Sequence, residues 1–180
     1  LSKAQFELEQ IDERSEPSNA DIIGRLTDNG QEYIQNIRGE NEITGKDNGV
    51  NRCAEYYFIQ NADGAYTPTN SRTYQTANGG TDGISNSTAN SFMVIDLSKD
   101  TGKYVVEVNA SCSSESDYDI GYATICTDYG VPEYDDTTGR FMYISGESPA
   151  QNYQSQILEG GNVYFLYLGY RKDGSGDRNN

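Results

Sequence analysis

Alternation of apolar and polar residues is the clearest pattern in the chain. In residues 103–112 every second side chain is apolar or aromatic, namely Tyr104, Val106, Val108, Ala110 and Cys112. Consecutive side chains of a strand point to opposite faces of the sheet. The pattern therefore predicts a strand with one buried face and one face in water, as is common in antiparallel sheets.

Similar apolar segments recur along the chain between residues that favour turns. They predict further strands at residues 53–60, 92–97, 121–127, 140–145, 155–158 and 163–170. Polar stretches rich in Gly, Asn and Thr predict loops at 41–52 and 61–90. Strands joined by turns, without intervening helices, are typical of an all-β fold, an antiparallel β-sandwich, which we place at residues 31–180.

The N-terminal segment has a different composition. Residues 1–16 combine Phe6, Leu8 and Ile11 with strong helix formers, which predicts a short N-terminal helical segment that Pro17 ends. A second short helix is predicted at residues 19–26. We interpret residues 1–30 as a helical connector or arm beside the sandwich.

The C-terminal end suggests an unfinished sheet. Residues 171–177, which follow the apolar segment 163–170, predict a turn, because Asp173-Gly174 is a strong hairpin signal. Only residues 178–180 follow this turn. We therefore expect a sandwich that lacks its last strand and an open edge beside residues 163–170. The chain also begins with Leu rather than Met, so a piece of a longer protein is expected.

Charge and hydropathy narrow the classes of partner. The chain has 28 Asp and Glu against 13 Lys and Arg, a formal net charge of -15. Such a field repels phosphate backbones and anionic lipids, which argues against nucleic acid as a partner. No apolar segment approaches the roughly 20 residues of a membrane helix, so no membrane insertion is expected.

The chain contains no His. Catalytic arrangements that depend on an imidazole base, and the commonest zinc ligand, are therefore excluded. Paired carboxylates could still act as in glycosidases, but any acidic sandwich offers such pairs. We predict a non-catalytic protein.

Three cysteines, Cys53, Cys112 and Cys126, make an odd number. Cys112 with Cys126, Cys53 with Cys126, and buried free thiols all remain open from the sequence.

Two segments carry a resemblance to a family. Residues 102–110 (Gly-Lys-Tyr-Val-Val-Glu-Val-Asn-Ala) and 158–166 (Leu-Glu-Gly-Gly-Asn-Val-Tyr-Phe-Leu) resemble strands of jelly-roll carbohydrate-binding modules. The resemblance covers roughly residues 90–170. It implies a jelly-roll-like sandwich, a glycan as ligand, and an extracellular or cell-surface location in bacteria.

Loop tyrosines are the candidate ligand-binding residues. The chain has 15 Tyr and no Trp. Tyr118, Tyr129 and Tyr134 lie among acids and turns, on loops that could meet at one end of a sandwich. Aromatic faces can stack on sugar rings while nearby carboxylates accept hydrogen bonds from sugar hydroxyls.

The same loops contain candidate calcium ligands. Asp117 and Asp119 are two residues apart, and Asp135 and Asp136 follow Glu133. Flexible clusters of oxygen ligands suit Ca²⁺, although no EF-hand loop is present. We predict Ca²⁺ as a stabilising ion.

An alternative function belongs to another class. An open sheet edge recruits strands, so the chain could be the structural subunit of a surface filament or pilus-like polymer. Neighbouring subunits would then be the partners, assembled by exchange of a strand or of the arm at residues 1–16.

Overall fold

A computed structural model describes residues 3–11, 26–27, 45–47, 50–80 and 83–174, and in the first three ranges the backbone only. Within these residues the protein is all-β, with antiparallel sheets and a single short helix, α1 (Arg72–Ala77). The strands are β1 (Lys3–Ile11), β2 (Leu26–Thr27), β3 (Gly45–Asp47), β4 (Val50–Arg52), β5 (Phe58–Gln60), β6 (Tyr66–Pro68), β7 (Ser87–Asp96), β8 (Lys103–Ser113), β9 (Ile120–Cys126), β10 (Arg140–Ser145), β11 (Glu147–Gln154), β12 (Leu158–Glu159) and β13 (Val163–Lys172).

The strands form two sheets. A six-stranded sheet has the order β11-β8-β1-β6-β5, with β12 also paired to β8. A seven-stranded sheet has the order β10-β9-β13-β7-β4-β3, with β2 also paired to β7. One buried cluster, which we call the inner core, draws on both sheets. It includes Val106 and Val108 of β8 together with Met93, Ile125, Leu166 and Leu168.

The alternation predicted for residues 103–112 is confirmed. Tyr104, Val106, Val108, Ala110 and Cys112 of β8 all belong to the inner core. Of the residues between them, Glu107, Asn109 and Ser111 are half-buried and Val105 is buried. The strands predicted at 121–127, 140–145 and 163–170 are confirmed as β9, β10 and β13, and that at 92–97 as the second half of β7.

The predicted N-terminal helix at residues 1–16 is wrong, because residues 3–11 form strand β1. Its backbone pairs with β8 over nine positions, with Phe6 opposite Val108 and Leu8 opposite Val106. Pairing with a neighbouring strand outweighs the modest helix propensity of these residues. The second predicted helix, at 19–26, lies outside the described residues apart from Leu26, which is in β2.

The expected open edge beside residues 163–170 is also wrong. Strand β13 lies between β7 and β9 and pairs with both, from Phe165 through Arg171. The main-chain groups of this strand therefore face partners on both sides. The predicted loops were too long as well, since β3 and β4 lie within 41–52, and β6, α1 and the start of β7 lie within 61–90.

The cysteines lie in different environments. Cys112 is buried in the inner core, whereas half-buried Cys53 and Cys126 pack on the opposite, outer face of the seven-stranded sheet. None of the three is part of a disulfide in this structure. Among the described residues, no helix is long and apolar enough to cross a membrane.

Candidate functional site

The outer face of the seven-stranded sheet carries an aromatic cluster. Phe92, Val94, Phe165 and Tyr167 point away from the inner core, and Tyr129 from the loop at residues 127–139 covers them. We call these five residues the outer cluster. The ring of Tyr129 meets Phe92 edge to face, with centroids 5.3 Å apart. The cluster thus fixes the start of the loop against the sheet.

Two further contacts hold this loop. The hydroxyl of Tyr167 accepts a hydrogen bond of 2.8 Å from the main-chain N–H of Gly130. Arg140, at the start of β10, donates from Nη2 to the main-chain oxygens of Tyr134 and, at 2.8 Å, Asp136. The loop therefore forms a fixed wall beside this face of the sheet.

A groove of about 240 Å³ lies between this wall and the sheet. Its floor comes from three neighbouring strands and its wall from the loop, with Thr88, Asn90, Tyr122 and Arg171 on the strands and Val131, Pro132, Glu133 and Tyr134 on the loop. Registers place Asn90 and Tyr122 on either side of Gly169. The groove therefore combines aromatic rings with both signs of charge.

Gly169 makes room for the ring of Tyr122. A Cβ atom at this position would lie 2.0 Å from Cζ of Tyr122 and 2.4 Å from its hydroxyl oxygen. The ring instead lies across the glycine, and its hydroxyl donates a long hydrogen bond of 3.4 Å to Oδ1 of Asn90. Burial raises the pKa of Tyr122 to about 12, so this hydroxyl stays protonated at neutral pH.

Arginine side chains lie over the tyrosine rings of the groove. The guanidinium carbon of Arg171 is 4.5 Å from the ring centroid of Tyr134, and that of Arg140 is 4.9 Å from the centroid of Tyr122. The two rings themselves meet edge to face at 6.2 Å. Such cation–π contacts orient the rings, and the guanidinium group of Arg171, which lines the groove, has N–H donors for a ligand.

Tyr143 extends the aromatic surface beyond the groove. It is the register partner of Tyr122 on β10, and 48% of its side chain is exposed. Partial burial and a hydrogen bond with Tyr134 raise the pKa of Tyr143. Half-buried Tyr134 and exposed Tyr143 thus present aromatic surface at the groove and its rim, and Tyr122, which is 0% exposed, supports Tyr134 from the sheet.

The three tyrosines predicted to bind ligand have different positions. Tyr134 lines the groove. Tyr129 is only 5% exposed and anchors the loop, so it offers no face to a ligand. Tyr118 is 54% exposed and lies on the turn between β8 and β9, outside the residues that line the groove.

The four predicted calcium ligands have separate environments. The N–H of Asp117 donates to Ser145 Oγ at 3.2 Å, and Asp136 accepts from the N–H of Thr138 at 2.8 Å, which lowers the pKa of Asp136. Asp119 is buried and Asp135 is exposed. Among the described residues no three acidic, Cys or His side chains gather in a way that could hold a metal ion. Calcium binding stays a prediction of the sequence.

Sequence reasoning missed most of the groove. Tyr122 lies in a predicted strand, but Asn90 falls at the end of the predicted loop 61–90 and Arg171 in the predicted turn, whereas the structure places all three in strands. The pairing of β13 with both β7 and β9, which brings the three together, is a long-range feature that no local pattern contains. A glycine inside an otherwise bulky strand, Gly169, was the one local signal of a close approach.

Comparisons with known proteins do not identify a family for this chain. No protein-family model matches the chain, and neither a search of curated proteins nor a search of solved structures finds a match.

Proposed function

We propose that the chain is a non-catalytic, extracellular binding module whose groove binds glycans. The observation that carries the proposal is the groove itself, where half-buried Tyr134 stands beside Asn90, Glu133 and Arg171. Tyrosine rings offer flat apolar faces to the C–H faces of sugars. Amide, carboxylate and guanidinium groups supply the acceptors and donors that sugar hydroxyls require.

The composition of the groove supports binding rather than hydrolysis. Glycoside hydrolases generally place two carboxyl groups about the scissile bond. Among the described residues that line this groove, Glu133 alone carries a carboxyl group. Tyr122 also keeps its proton at neutral pH, because burial raises the pKa of its hydroxyl to about 12.

A polysaccharide panel in affinity gels, followed by titration calorimetry on any hit, tests the proposal. The wild-type chain should be retarded by at least one polysaccharide. Tyr134→Ala should weaken binding by at least about tenfold, the equivalent of roughly 1.4 kcal/mol, because it removes the stacking surface of the wall. Tyr118→Ala is the matched control and should bind as wild type. Absence of binding to the whole panel, or an unchanged Tyr134→Ala variant, would refute the proposal.

The position of β1 favours a second candidate, a structural subunit that polymerises by exchange of its N-terminal arm. Strand β1 lies between β8 and β6 inside the six-stranded sheet, and it pairs with β8 from Lys3 to Ile11. Residues 12–25 connect it to the next described strand. A copy of β1 from a neighbouring molecule could occupy the same place in the sheet.

Light scattering distinguishes the two candidates. Arm exchange predicts assemblies whose mass grows with concentration and a chain lacking residues 1–11 that no longer assembles. A monomer at all concentrations would rule out the structural subunit and leave the glycan-binding module untouched.

A further inference from the structure

A second polar cluster lies at the end of the same sheet, on its inner face. Lys172, near the end of β13, is the register partner of Ser87 on β7. On the other side of β13, Arg171 pairs with Ile120, so Asp119 stands beside Lys172. The N–H of Asp173 donates to Oδ1 of Asp119 at 3.1 Å, which fixes this carboxyl group against the end of β13.

The side chain of Asn70 reaches the same place from the segment between β6 and α1. Its Nδ2 donates to Oγ of Ser87 at 3.0 Å and to the main-chain oxygen of Tyr170 at 3.2 Å. A Cβ atom placed on Gly83 would lie 2.4 Å from Nζ of Lys172 and 2.8 Å from the main-chain oxygen of Asn70. Nζ of Lys172 and the main-chain oxygen of Asn70 are therefore at most 5.2 Å apart, the sum of 2.4 and 2.8 Å.

The cluster is shielded from water. Lys172 is 3% exposed, Asn70 0% and Asp119 1%. Within the described residues, Oδ1 of Asn70 and Oδ2 of Asp119 have no hydrogen-bond partner although both are buried. A buried polar atom without a hydrogen-bond partner lowers the stability of the fold. Two such atoms in one cluster point to a further atom or bond at this site.

The carboxyl group of Asp119 is placed to carry protons between the reacting groups. It stands beside Lys172 at the end of β13, where the N–H of Asp173 holds it. Attack of an amine on an amide needs an unprotonated amine and a neighbouring group that accepts and donates protons.

We propose that Lys172 and Asn70 join through an intramolecular isopeptide bond. The electron pair of Nζ of Lys172 attacks Cγ of Asn70, and the carboxyl group of Asp119 donates a proton to Nδ2 of Asn70 as the tetrahedral centre forms. The bond between Cγ and Nδ2 then breaks, the amine loses its proton to Asp119, and one ammonia leaves. No oxidant, reductant or cofactor takes part.

Mass spectrometry of the purified chain tests the bond. The denatured wild-type protein should be lighter than its sequence mass by one ammonia. Succinimides at Asn-Gly sequences such as Asn78-Gly79 also lose ammonia, so the decisive observation is a branched proteolytic peptide that contains both Asn70 and Lys172. Complete absence of that peptide after prolonged incubation of the folded protein would overturn the proposal.

Variants assign the roles. Lys172→Arg should abolish the branched peptide, whereas Lys103→Arg, a control at a half-buried surface lysine, should keep it. Asn70→Asp should give a link that forms with loss of water in place of ammonia. Asp119→Asn should fold with the branched peptide lost, and its persistence in that variant would contradict the proton-carrying role of Asp119. The wild-type measurement decides the existence of the bond even where a variant fails to fold.

Discussion

At the scale of single residues, Gly169 determines whether the ring of Tyr122 can form the floor of the groove. Gly169→Ala would put a Cβ atom 2.0 Å from Cζ of Tyr122, so the ring or the strand must move. We expect a loss of roughly 1–3 kcal/mol in the free energy of unfolding, the usual cost of overpacking, together with loss of glycan binding. Urea denaturation and affinity gels measure the two effects.

Gly130→Ala is the matched control for that substitution. A Cβ atom on Gly130 would meet nothing within 4 Å, although this residue belongs to the loop that forms the wall. Stability and binding should both stay as in the wild type. A Gly169→Ala variant that behaves like this control would show that Tyr122 does not depend on the glycine.

Buried tyrosines should make the protein sensitive to alkali. Burial raises the pKa of Tyr122 to about 12, and it also raises the pKa of Tyr167 and Tyr170. Between about pH 10 and pH 12 the unfolded chain releases these protons while the folded chain keeps them, so the free energy of unfolding falls as pH rises, by about 1.36 kcal/mol for each pH unit and group. Urea denaturation at pH 8 and pH 11 measures this fall.

Phenylalanine variants locate the source of the pH effect. Tyr122→Phe should reduce the loss of stability between pH 8 and pH 11. Tyr118→Phe removes an exposed hydroxyl and should leave that loss unchanged. Equal slopes in the two variants would mean that Tyr122 ionises at its ordinary pKa.

At the scale of elements, the loop at residues 127–139 is a wall because Tyr129 anchors it to the outer cluster. Tyr129→Ala should remove about 3–5 kcal/mol from the free energy of unfolding, as for other large buried aromatic residues, and should weaken binding indirectly. Tyr129→Phe keeps the ring in the cluster and should preserve both properties. Loss of binding in a stable Tyr129→Phe variant would instead mean that the hydroxyl meets the ligand.

Strands were predicted correctly where many of their apolar side chains are buried. Strands β8, β10 and β13 follow the expected ranges, because their alternating apolar residues reflect burial against the inner core. Strand β11 was missed, since Glu147–Gln154 lies at the edge of its sheet with mostly exposed, polar residues. For β1, the spacing of Phe6 and Leu8 suits a strand as well as a helix, and long-range pairing with β8 decides between them.

The candidate site was predicted less well than the fold. Tyr118, Tyr129 and Tyr134 look alike in the sequence, since each is a loop tyrosine near acids. The structure places them differently because the path of the loop at residues 127–139 buries Tyr129 in the outer cluster and leaves Tyr134 at the groove. The sequence does not contain this path. Arg171 and Asn90 become neighbours of Tyr134 through sheet pairing over long distances along the chain, which single-sequence patterns do not report.

At the scale of the whole molecule, a bond between Asn70 and Lys172 would tie the segment before α1 to the last described strand. It would close a loop of about 100 residues, which in the chain-entropy model contributes up to about 4.7 kcal/mol to the free energy of unfolding. We therefore expect Lys172→Arg to lower the thermal unfolding midpoint by several degrees, as calorimetry would measure, while Lys103→Arg leaves it unchanged. Equal midpoints for wild type and Lys172→Arg would argue against a stabilising bond.

The most direct test of the central claim, that the groove on the outer sheet face binds glycans, is an NMR titration of the ¹⁵N-labelled chain with a polysaccharide from the affinity panel. The amide resonances that shift should belong to the groove, with Asn90, Tyr122 and Arg171 on the floor and Val131, Glu133 and Tyr134 on the wall. The amide of Tyr118 should not move. Shifts centred on the turn at Tyr118, or no shifts with any polysaccharide of the panel, would contradict the account.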